Sequence, residues 1–86
     1  MTEADFGLTN DGANARLAEA VGQVATAVRS GESNRREALV QLSDLVYPIA
    51  GDDPDVLDAT VREAVVRELN PVLEQAGFTA MVPWEF

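Results

Sequence analysis

The sequence predicts a mainly α protein: a three-helix compact domain with extended, β-like segments at its two ends. Three observations carry that expectation. Apolar residues recur at three- and four-residue steps through the middle of the chain, capping and stop residues bracket those stretches, and both ends alternate with a period of two. The 86 residues make a single domain, with an extended segment 1–11, a helical body 12–77 and an extended segment 78–86.

Residues 2–9 place Ala4, Phe6 and Leu8 on one side and Glu3, Asp5, Gly7 and Thr9 on the other, as in a strand with one buried face. Asn10-Asp11-Gly12 then punctuates, as a turn or as the cap of the first helix. That helix runs from about Gly12 to Arg29 on a seam of Leu17, Val21, Val24 and Val28. Ala13, Ala18, Ala20, Ala25 and Ala27 flank the seam and let a neighbour approach closely; Gly31 terminates the helix.

The second helix opens at Asn34, which stands at capping-box spacing from Glu37. Its stripe is Leu39, Leu42, Leu45, Val46 and Ile49, and Pro48 is expected to end it near Tyr47. The third helix spans 53–77. Asp53 is its N-cap, Pro54 suits the first helical position, and Asp55 complements the dipole. Leu57, Val61, Ala64, Val65, Leu69, Val72 and Ala76 form its apolar stripe. Asn70-Pro71 predicts a kink or break in this helix, and equally fits the cap of a short fourth helix over 71–76 stopped by Gly77.

From residue 78 the alternation returns. Phe78, Ala80, Val82, Trp84 and Phe86 share one side, while Thr79, Met81, Pro83 and Glu85 share the other. Pro83 cannot donate to a ladder, so such a strand is an edge strand.

A chain this short buries about 60–65% of its unfolded surface and gains from an oligomer or partner. No apolar run approaches the ~20 residues that span a bilayer, and the acidic start is unlike a secretory signal. The expected location is the cytoplasm or a virion. Net charge is −9, divided as −3 over residues 1–32, zero over 33–51 and −6 over 52–86. Such a balance argues against direct contact with nucleic acid or anionic membrane. Every basic residue is arginine, and with the Ala/Val richness this points to a GC-rich genome such as that of an actinobacterium or one of its phages.

Cysteine, histidine and lysine are absent, which removes the usual nucleophiles, bases and soft metal ligands. No enzyme, cofactor or metal site is expected. The cluster Asp52, Asp53, Asp55 and Asp58 fails the calcium-loop pattern, because Pro54 and Val56 occupy ligand positions and Leu57 replaces the glycine. It reads as helix capping. Asp58–Arg62 and Glu63–Arg67 have the spacing of helical ion pairs on a solvated face.

Four of the five aromatics lie in the terminal segments. Large apolar side chains at chain ends require a docking surface. Two dockings compete: the ends pair across their own helices, or they reach into a neighbouring subunit, the latter favoured for the C-terminal end. Arg35 and Arg36 oppose the dipole of the helix they open, so they are expected to pair with the Asp52–Asp53 region or simply hydrate, or else to contact an acidic patch on a neighbouring protomer or partner. The candidate partner-binding residues are therefore Phe6, Leu8, Phe78, Val82, Trp84, Phe86, Arg35 and Arg36. The expected function is a non-enzymatic structural or interaction protein, a small subunit of a larger protein assembly such as a bacteriophage minor capsid or decoration protein. The alternative is a free acidic inhibitor of a basic nucleic-acid-binding or regulatory partner.

Overall fold

The computed structural model describes residues 6–86 and shows three helices: α1 (Asp11–Arg29), α2 (Arg35–Asp52) and α3 (Ala59–Gln75). Two short 3-10 turns, Pro54–Leu57 and Pro83–Glu85, complete the regular structure among the described residues. The mainly α, three-helix reading holds.

Local chemistry sets the helix ends. The Asn10 side chain accepts from the Ala13 N–H and caps α1. Asn34 and Glu37 form the reciprocal capping box that opens α2. Helices α1 and α3 both close on a glycine with positive φ: 80° at Gly31 and 89° at Gly77. After α1, Gly31 N–H reaches Val28 O and Glu32 N–H reaches Ala27 O; after α3, Gly77 N–H reaches Glu74 O and Phe78 N–H reaches Leu73 O. Both are Schellman ends, whose left-handed residue glycine adopts without strain.

Neither internal proline ends a helix, which corrects the expected end at Pro48 and excludes the break, though not the kink, expected at Asn70-Pro71. Helix α2 continues through Pro48 to Asp52, and α3 continues through Pro71, so no separate helix exists over 71–76. A proline removes one N–H and crowds the carbonyl four residues earlier. Pro48 and Asp44 are exposed, as are Pro71 and Arg67, which puts both prolines on the solvent side of their helices, where a freed carbonyl costs least. Burial of Ile49 beyond the first proline, and of Val72 and Leu73 beyond the second, favours continuing.

The third helix is shorter than expected at its start. Asp53 does cap, but its side chain accepts from Asp55 N–H to close the Pro54–Leu57 turn, and α3 begins only after the extended Asp58. Val56 explains the split. It lies off the stripe of a continuous helix, yet it is fully buried in the core, and the turn directs it there.

The core draws Leu17, Val21, Val24 and Val28 from α1, Ala38, Leu42, Val46 and Ile49 from α2, and Val61, Val65, Val66, Leu69, Val72 and Leu73 from α3. Helix α1 packs against both other helices. The body is a slab of 34 × 28 × 18 Å. Among the described residues no charged or polar side chain is buried, and no covered side-chain polar atom lacks a partner.

The ends depart most from expectation. Residues 2–5 of the N-terminal alternation lie outside the described residues. Over 6–9 burial does alternate, with Phe6 buried, Leu8 half-buried, and Gly7 and Thr9 exposed, but no strand forms. Nor is there a strand over 78–86. There the two anchors are Met81 and Phe86, five residues apart and on opposite sides of a period-two pattern, because the Pro83–Glu85 turn reverses the parity between them.

Candidate functional site

Residues 78–86 form a strap across the body, held by side chains that stand in for a pairing strand. Asn70, on α3, presents its amide to Met81: the Met81 N–H donates to Asn70 Oδ1 at 2.8 Å, and Asn70 Nδ2 donates to Met81 O at 3.2 Å. One side chain thus satisfies both backbone groups of a buried residue. Arg35, at the start of α2, donates to Thr79 O, Ala80 O and the Glu85 carboxylate at 3.0, 2.9 and 2.6 Å. Arg62 of α3 donates to Phe86 O at 2.8 Å and to Leu57 O at 2.9 Å. Its guanidinium carbon also sits 5.7 Å from the centroid of the Phe86 ring, in cation–π range.

The strap also braces itself. Glu85 Oε1 accepts from Val82 N–H at 2.9 Å as well as from Arg35. These two donors hold the Glu85 carboxyl below its ordinary range, the Arg35 hydrogen bond being the larger cause.

The sequence-derived candidates separate into three groups. Phe6 and Phe86 are buried within the chain itself, and the Phe6 N–H donates to Asn14 Oδ1. Leu8, Phe78 and Val82 are half-buried, and Leu8 and Phe78 pack against the core. Trp84 and Arg36 face solvent, Trp84 with 77% of its surface accessible. Arg35 is already committed to the strap rather than to the Asp52–Asp53 region. Asp52 pairs with Arg16 instead, at 2.7 Å. The helical pairs expected of Asp58–Arg62 and Glu63–Arg67 do not form among the described residues, where the ion pairs are Arg16–Asp52 and Arg35–Glu85.

Trp84 is the outlier. It projects from the 3-10 turn between the buried Met81 and Phe86, beside a shallow, open hollow lined by Leu57, Ala59, Arg62 and Pro83. The anchors and the Arg35–Glu85 pair fix the turn, so the indole is presented on a braced support.

Sequence reasoning missed Asn70 and Arg62 as strap holders. Asn70 left a signal, since asparagine in a helix interior is unfavourable unless its amide has other work. It also missed Val40, a large apolar side chain outside the α2 stripe, 56% exposed. Tyr47, beside Pro48, is 52% exposed.

No group of three or more His, Cys, Asp or Glu among the described residues could hold a metal ion, and no helix among them is long and apolar enough to cross a membrane. No family model matches the chain, and neither curated proteins nor solved structures show a significant likeness to it.

Proposed function

We infer that the protein is a non-enzymatic contact subunit that docks on a larger protein assembly through the Trp84 surface of its C-terminal strap. The observation that carries this reading is the braced, exposed tryptophan. Tryptophan is enriched among residues that dominate binding energy, and an anchor fixed before contact loses little entropy on docking. Its composition and size suit a bacteriophage minor capsid or decoration protein, which is the specific form of the proposal. The alternative, a free acidic inhibitor, would draw on Asp52, Asp53, Asp55 and Asp58. Asp52 is engaged with Arg16 and Asp53 caps the following turn, which favours the contact reading.

Trp84→Ala is the test. Deleting 78–86 would remove Met81 and Phe86 from the core, whereas truncating an exposed indole leaves the fold intact. The native mass of the protein, alone and from its source, identifies the particle it travels with. Trp84→Ala should then weaken co-sedimentation with that particle by about 2 kcal/mol or more, at unchanged helicity. Undiminished co-sedimentation would remove the strap as the docking site. Binding that instead collapses with salt and with Asp55→Asn plus Asp58→Asn would favour the inhibitor.

A further inference from the structure

A second surface, sharing no residue with the first, lies on α2. Val40 and Tyr47 are its large exposed apolar side chains, seven residues apart and so within about 20° of one another around the helix. The core side of the same helix is Ala38, Leu42, Val46 and Ile49, which puts Val40 on the outward side, where patterning calls for a polar residue. Arg36 stands four residues before Val40 and Asp44 four after it. Both are exposed, and neither joins an ion pair among the described residues. The outward stripe therefore reads cation, apolar, anion, with the apolar residue at its midpoint.

We propose that this face pairs with the same face of a second copy of the chain, α2 antiparallel to α2, the two-fold axis passing beside Val40. Charge complementarity selects both the occupant and the direction. In the antiparallel arrangement Arg36 meets Asp44 of the partner subunit, and by symmetry Asp44 meets Arg36 of the partner subunit, while the two Val40 side chains meet on the axis. A parallel arrangement would stack like charge on like charge at both positions. Tyr47, one turn beyond Asp44, lies over the helix start of the partner subunit and shields the ion pair from water.

Sedimentation equilibrium of the full chain from micromolar to millimolar concentration, at about 0.15 M salt where long-range repulsion between the acidic copies is screened, tests the proposal. The wild type should dimerise and Val40→Glu should be monomeric. Arg36→Asp and Asp44→Arg should each weaken the dimer by roughly tenfold or more, and the double variant should recover it. Arg36→Asp also places an acid in the first turn of α2, so it should favour the helix while weakening the dimer, opposite signs that a folding defect would not produce. A wild type that stays monomeric throughout, or a dimer indifferent to Val40→Glu and to the charge swap, overturns the pairing. Should the chain be monomeric while Val40→Glu abolishes docking on its parent particle, the face belongs to another protein and self-pairing is overturned. Docking that depends on Trp84 is read separately and is expected to survive Val40→Glu.

Discussion

Residues 11–75 and residues 78–86 are held to the same core by different means. The helices satisfy their own backbone and contribute broad apolar stripes, with Leu42 and Val46 of α2 and Leu69 and Leu73 of α3 all members of one buried cluster. The strap has no ladder. It contributes two buried anchors, Met81 and Phe86, and borrows six hydrogen bonds from Arg35, Asn70 and Arg62. A segment held that way is secure only while a few named side chains remain, whereas a helix shares its attachment among many.

That contrast can be broken from either side. The largest effect belongs to the body. Leu42→Ala empties a fully buried position and should cost about 2–5 kcal/mol, a large share of the ~5–15 kcal/mol typical of a domain, read as one cooperative fall in thermal midpoint with strap and helices lost together. Asn70→Ala acts on the strap. It leaves the N–H and C=O of Met81 without partners, at a cost of about 1–3 kcal/mol. Amide exchange should quicken over 79–86 while the α1 and α2 amides stay protected.

The two ion pairs supply the smaller effects, and they should not be equal. Arg35 and Glu85 side chains are 27% and 26% exposed, against 48% and 74% for Arg16 and Asp52. The Glu85 carboxyl titrates lower in the folded chain than in the unfolded one. Its contribution is therefore complete above the ordinary glutamate range and is lost as pH falls through the lowered folded value. The thermal midpoints of wild type and Glu85→Gln should differ near neutral pH and converge on acidification. Asp52→Asn, at the open pair, should change stability by only about 0–1 kcal/mol.

The same contrast explains what was legible in the sequence. The limits of α1, the Asn34–Glu37 box and the glycine stops are short-range devices, and each is written in adjacent residues. Pro48 and Pro71 misled because their cost depends on whether the freed carbonyl reaches water, which only the packed helix decides. The strap misled more. A period of two does not distinguish a strand from a segment whose turn at Pro83 changes which side chains point inward. Its holders lie 44 to 50 residues away for Arg35 and 11 for Asn70. Arg35 was conspicuous as a cation opposing its helix dipole, but nothing nearby in the sequence named its partner.

Backbone 15N relaxation of the isolated protein tests most directly whether the chain itself fixes its strap and so presents Trp84. Order parameters for residues 79–86 should match those of the helices, about 0.85, and those for Met81 and Val82 should fall in Asn70→Ala and Arg35→Ala. Values below about 0.6 across the wild-type strap would mean the segment is loose until something else grips it, and the braced tryptophan would have to be abandoned.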